Sequence, residues 1–98
     1  MDHNNFLTAA KSVLEDVANM FEYRGFDVEW RGEALYIEPE EERKICVIYA
    51  HNTTQQIWLS SPLFGAYHFT LADNNWLCTR SGEKLQNILA KEFSLTSV

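Results

Sequence analysis

Gln55-Gln56-Ile57-Trp58-Leu59-Ser60-Ser61-Pro62 is the stretch whose reading decides the fold. Ile57, Trp58 and Leu59 form a short apolar run, and Ser-Ser-Pro stops it, which is how a strand reads in sequence. Successive side chains of a strand point to opposite faces. Ile57 and Leu59 therefore share one face, and Gln56, Trp58 and Ser60 the other. With Ile57 and Leu59 turned to a core, Trp58 stands solvent-exposed between polar neighbours. A large aromatic placed there covers no core and is a candidate anchor for a partner protein.

On the N-terminal side of this strand, His51-Asn52-Thr53-Thr54 reads as a turn. Residues 43–50 read as a strand too apolar for periodicity to fix its faces. Further back, Leu35 and Ile37 point inward from a strand over residues 34–38. Residues 26–31 alternate, with Phe26, Val28 and Trp30 to one side and Asp27 and Glu29 to the other. Arg31-Gly32-Glu33 joins the two as a hairpin. Pro39 ends that hairpin, and Glu40-Glu41-Glu42 forms an acidic turn.

Residues 5–23 read as an amphipathic helix, with Asn5 as N-cap and Gly25 at the C-terminal stop. At about 100° per residue, Phe6, Ala10, Val13, Val17, Met20 and Phe21 gather on one side. Glu15 and Glu22 fall opposite, with Lys11, Ala18 and Asn19 beside them and Asp16 on the flank. On the C-terminal side of the Trp58 strand, residues 61–65 read as a loop. Residues 66–71 alternate, with Tyr67, Phe69 and Leu71 against Ala66, His68 and Thr70. Asp73-Asn74-Asn75 is a turn and residues 76–79 a last short strand. Ser81 then caps a second helix, with Glu83 in its first turn and Leu85, Ile88, Leu89 and Phe93 as its buried stripe.

The order is helix, six strands, helix. Consecutive strands joined by short turns pair antiparallel. Two amphipathic helices and one sheet bury their apolar faces as an α+β, two-layer α-β sandwich. Both helices cover one face of a six-stranded antiparallel sheet, and Gln56, Trp58 and His68 share the other. Ninety-eight residues make one domain, 1–98, with a modest core and no repeats or linkers.

The formal charge of −6 is unevenly placed. Residues 1–42 hold eleven acidic against three basic side chains, a balance of −8, and residues 43–98 a balance of +2. The acidic half repels nucleic acid and suits a cation or a basic protein surface. No run approaches the length of a membrane span. The polar, acidic N-terminus lacks the pattern of a signal or transit peptide. The chain therefore reads as a bacterial-type cytoplasmic protein, or a mature form already trimmed. Cys46 and Cys78 form no C-x-x-C pair and read as buried thiols inside strands.

No catalytic motif stands out: no G-x-S-x-G, no phosphate-binding glycine loop, no H-E-x-x-H. His3, His51 and His68 form no zinc-ligand spacing with each other or with the cysteines. What remains is the acidic surface. Glu15 and Glu22 on the helix, with Asp27 and Glu29 on the adjacent strand, form a candidate ridge along the layer edge. Exposed carboxylates bind hard cations through oxygen, and Fe²⁺, Fe³⁺, Mn²⁺ and Ca²⁺ all qualify.

Three blocks carry a family resemblance: Gln56-Ile57-Trp58-Leu59-Ser60-Ser61-Pro62, then Gly65-Ala66-Tyr67-His68-Phe69, then Trp76-Leu77-Cys78-Thr79-Arg80-Ser81-Gly82-Glu83. Together with the helix stretch from Leu14 to Glu22, the chain resembles the frataxin family, and specifically its bacterial CyaY branch, over nearly its whole length. The resemblance implies the α-β sandwich. It implies iron, Fe²⁺ or Fe³⁺, on an acidic ridge, here Glu15, Glu22, Asp27 and Glu29; because those ligands are exposed and spread, the iron is expected to be held weakly and reversibly. It implies docking on the cysteine desulfurase and scaffold protein of iron–sulfur cluster assembly, and the chain is expected to be a monomer. The partner-binding residues are then Gln56 and Trp58, with His68 beside them. The resemblance departs at Ala18, Asn19 and Tyr23, where relatives often carry acids, and in the short Arg24-Gly25-Phe26 connection. Three functions follow: a non-enzymatic iron-binding adaptor that supplies iron to the assembly or regulates it, a ferroxidase, and an interaction-only regulator of weak iron affinity. Di-iron ferroxidases hold Glu and Glu-x-x-His ligands inside a helical bundle, and this chain has no such pattern.

Overall fold

Six strands cross a single sheet in chain order, each antiparallel to the next: β1 (Asp27–Arg31), β2 (Ala34–Glu38), β3 (Cys46–His51), β4 (Gln56–Ser61), β5 (Gly65–Ala72) and β6 (Asn75–Cys78). Helix α1 (His3–Tyr23) precedes them and α2 (Leu85–Glu92) follows. The computed structural model describes residues 2–38, 45–61 and 65–92. Pro39 and the expected acidic turn at 40–42, and Phe93, lie outside the described residues; of the loop expected over 61–65, Ser61 belongs to β4 and Gly65 to β5, and 62–64 lie outside them.

Turn chemistry sets the registers. Arg31 pairs with Ala34 across Gly32-Glu33, and Gly32 has φ +61°, as a two-residue Gly-X hairpin needs. Ala72 pairs with Asn75, and the connecting Asp73 and Asn74 both take left-handed backbone, φ 50° and 64°. Both central residues at positive φ is the demand of a type I′ turn, which Asp and Asn tolerate. Asn75 thus belongs to β6 and not to the turn. Between β3 and β4 the loop runs from Asn52 to Gln55, so His51 is the last residue of β3, paired with Gln56.

One face of the sheet carries the core. Leu35, Ile37, Ile48, Ile57 and Phe69 are completely buried there, with Cys46, Leu59, Trp76 and Cys78 beside them. They meet Phe6, Ala10, Val13, Leu14, Val17, Ala18 and Phe21 of α1 and Leu85, Ile88 and Leu89 of α2. Phe6 packs edge-on to Trp76, ring centres 6.1 Å apart, tying the start of α1 to β6. Fully burying one such side chain contributes about 1.5–3 kcal/mol. No side chain of the opposite face is fully buried among the described residues, so that face is free to serve function.

Five sequence expectations need correction. Asp2, not Asn5, caps α1: its carboxylate accepts the Asn5 backbone N–H at 2.8 Å and the Asn5 side-chain amide at 3.1 Å. The apolar face of α1 is wider than the helical projection indicated. Leu14 and Ala18 are buried, because the helix lies across the sheet and covers β1, β2 and β3 together. Ala18 is therefore a core position, with no outward place for an acid. Trp30 points to the helix side, opposite Leu35, yet is 42% exposed, because β1 is the edge strand. Ser81 does not cap α2. It sits in a turn where Gly82 N–H donates to the Cys78 carbonyl at 2.8 Å and Cys78 N–H to the Glu83 carbonyl at 2.8 Å. The helix begins only at Leu85, four residues later, and Lys91 in its last turn pairs with Glu83. Finally, Trp58 lies on the open face but is half-buried, for reasons taken up next.

Candidate functional site

The open face is built by β3, β4 and β5. Trp58 is paired with Tyr49 on β3 and with His68 on β5. Alternation places Ile57 and Leu59 in the core and Gln56, Trp58 and Ser60 on the open side. The indole is held on both faces. His68 stacks on one side, ring centres 4.2 Å apart and planes 12° apart. His51 stacks on the other at 3.7 Å and 5°. Tyr49, directly across, stays 6.2 Å away and tilted by 58°. The indole N–H donates to Gln56 Oε1 at 2.9 Å. Gln56, Trp58 and His68, the three residues expected to dock a partner, therefore form one connected group.

Sequence reading missed His51, because residues 51–54 read as a turn. The loop starts one residue later, and that shift puts the His51 ring against Trp58. Its Nδ1 lies 2.8 Å from the hydroxyl of Thr54 in the loop that follows.

The four ridge carboxylates are all exposed and are spread over two surfaces. Glu15 and Glu22 stand on the outward side of α1, seven residues and so about 10 Å apart along its axis. Asp27 and Glu29 alternate onto the open side of β1, opposite Glu38 and Tyr36, on the sheet face away from the helix. Glu29 is already paired with Arg31 at 3.3 Å, and the Arg31 guanidinium lies 4.5 Å over the Tyr36 ring. Among the described residues no three His, Cys, Asp or Glu side chains stand close enough together to hold one metal ion. Oxygen donors suited to a hard cation are present, but each site offers one or two, with water left to complete the shell. Glu15 also borders an open groove of about 420 Å³ between α1 and the β1–β2 hairpin, with Leu14, Trp30 and Glu33 among its walls.

Cys78 closes β6 as a buried free thiol. Burial pushes the thiol up, but the Ser81 hydroxyl, the backbone N–H groups of Ser81 and Arg80, and the Arg80 charge outweigh it and hold the group below the usual cysteine value. No described helix is long and apolar enough to cross a membrane.

Known proteins share this fold. A family model described as a frataxin-like domain matches residues 1–97. The iron–sulfur cluster assembly protein CyaY of Neisseria meningitidis serogroup B is 27% identical, over 99% of this chain and 91% of its own length. Frataxin from Psychromonas ingrahamii has the same fold, with a TM-score of 0.84 at 22% identity, covering 93% of this chain and 87% of that one. Trimeric frataxin from the yeast Saccharomyces cerevisiae, solved in complex with ferrous iron, gives a TM-score of 0.78 at 30% identity, covering 88% and 82%. With a match that runs from residue 1 to residue 97, the chain belongs to the frataxin-like family.

Proposed function

We propose that this chain is a non-enzymatic, iron-binding adaptor of iron–sulfur cluster assembly. It holds iron weakly and reversibly on the exposed carboxylates of α1 and β1. It docks as a monomer, in the cytoplasm, on the cysteine desulfurase and the scaffold protein through Gln56, Trp58 and His68. The observation that carries the reading is the ring row at Trp58, an ordered aromatic group on a sheet face that buries no core, in a chain whose relatives are named for iron–sulfur cluster assembly. Aromatic anchors of this kind dominate protein interfaces. A yeast relative solved with ferrous iron supports the metal half of the reading.

Dispersed carboxylates suit cargo that must be given up. Glu15 and Glu22 each offer hard oxygen atoms, and the distance between them keeps both from closing on one ion. Their mutual repulsion is modest and screened by salt. A bound Fe²⁺ removes it and adds attraction, so Fe²⁺ raises the melting temperature. Stabilisation of about 1–2 kcal/mol requires free metal roughly tenfold above its dissociation constant.

Two measurements test the reading. A pull-down with and without Fe²⁺ is expected to recover desulfurase and scaffold with the native chain and not with Trp58→Ala. Anaerobic melting is expected to show an Fe²⁺ shift that disappears in Glu15→Gln/Glu22→Gln, whose metal-free melting temperature is higher. A double variant that keeps the full shift moves the metal off the ridge. An interaction-only regulator is the second reading, favoured by the Glu29–Arg31 pair, which occupies one ridge carboxylate with a cation. It predicts docking indifferent to Fe²⁺ and no shift. Oxygen consumption on adding Fe²⁺ would instead point to a ferroxidase.

A further inference from the structure

The sandwich around Trp58 does more than cover apolar area. Trp58 is paired in register with Tyr49, yet the ring that lies flat against it belongs to His51, two residues further along β3. His51 reaches it diagonally and is itself tied at Nδ1 to the Thr54 hydroxyl. With His68 on the far face and Gln56 on the N–H, the indole is restrained on three sides. An aromatic side chain on an open sheet otherwise samples several rotamers, and ordering it at the moment of binding weakens binding.

We propose that His51 is a positioning residue of the docking face. Stacked on Trp58 and anchored to Thr54, it holds the indole with its edge outward before a partner arrives. The inference rests on the docking role given above to the open face. Because both indole faces are covered, a partner meets three ring edges in a row. That ridge fits a cleft with apolar walls, and its imidazole N–H groups call for hydrogen-bond acceptors on the partner.

The test uses the full chain with the purified cysteine desulfurase and scaffold of the same cell. His51→Ala is expected to weaken docking about fivefold, the loss from having to immobilise one large side chain on binding. His51→Phe, which keeps a ring to stack on Trp58, is expected to restore it. In the isolated chain, the Trp58 indole N–H resonance is expected to shift in His51→Ala, as the indole loses its fixed place, and to move back towards its native position in His51→Phe. Native docking and a native indole resonance in His51→Ala, beside lost docking in Trp58→Ala, would overturn the positioning role alone. Native docking in Trp58→Ala would overturn the docking reading and this proposal with it.

Discussion

Ile57→Ala and Trp58→Ala are neighbouring substitutions for which the structure sets unequal costs. Ile57 is fully buried between the sheet and the helices. Removing three of its carbons leaves a cavity that its register partners Ala50 and Phe69 fill only in part, and such changes cost about 2–5 kcal/mol. In a domain this size each kcal/mol moves the melting temperature by about 4–8 °C, so a mid-range loss lowers it by well over about 10 °C. Trp58 is half-buried on the open face, where its removal leaves no enclosed void. What is lost is two ring stacks, each worth about 0.5–1.5 kcal/mol at most, and a partly hydrated hydrogen bond to Gln56. Both imidazoles and the amide return to water, which offsets part of that, and about 1–2 kcal/mol remains as the expected cost. Urea unfolding followed by circular dichroism measures both, with equal m-values as the check that only stability changed. If Trp58→Ala proves as destabilising as Ile57→Ala, the assignment of faces along β4 is wrong. The docking surface is then wrong too.

Two further predictions concern the ends of the elements. Asp2→Ala removes the carboxylate that caps α1 and is expected to cost about 0.5–2 kcal/mol, with Asp2→Asn recovering most of it; equal losses in both would mean that the cap is not the cause. Cys78 has a depressed thiol in the fold, so between that value and the ordinary thiol value near about 8.5 the unfolded chain binds more protons than the folded one. Stability from this group is therefore present above the ordinary value and is lost as pH falls through the folded one. The native chain should gain melting temperature relative to Cys78→Ala as pH rises from 7 towards 9, and Ser81→Ala should reduce that gain. Parallel pH profiles for the native chain and Cys78→Ala would refute it.

Much of the fold was legible because it depends on local periodicity. Alternation identified Leu35, Ile37, Ile57, Leu59 and Phe69 as core, and each is buried. Trp30 alternates equally well and is largely exposed, since period two tells a side and not what covers it. Ala18 fails in the opposite sense. A helical projection treats burial as an arc around one axis, while packing across three strands covers a wider arc. Ser81 and Glu83 have the spacing of a helix start, but the backbone there folds back on Cys78 first, a choice made by tertiary hydrogen bonds.

The candidate site divides along the same physical line. Gln56, Trp58 and His68 were readable because strand neighbours that share a face also share a surface. His51 was not, since its place depends on a loop boundary that shifts by one residue. The ridge carboxylates were readable as residue types and not as an arrangement, because the distance from α1 to the open side of β1 is set by how two layers pack. This division has a consequence for how the molecule can change. Along β3, β4 and β5 the residues that hold the fold and those on the open face alternate one by one: Ile48 with Tyr49, Ile57 with Trp58, Phe69 with His68. Substitutions on the open face leave the core intact, so the surface can be retuned to a new partner at little cost in stability. The carboxylates of α1 have the same freedom, for Glu15 and Glu22 face away from the residues that anchor the helix. The surface proposed to dock a partner and the carboxylates proposed to hold iron can therefore vary independently on one scaffold.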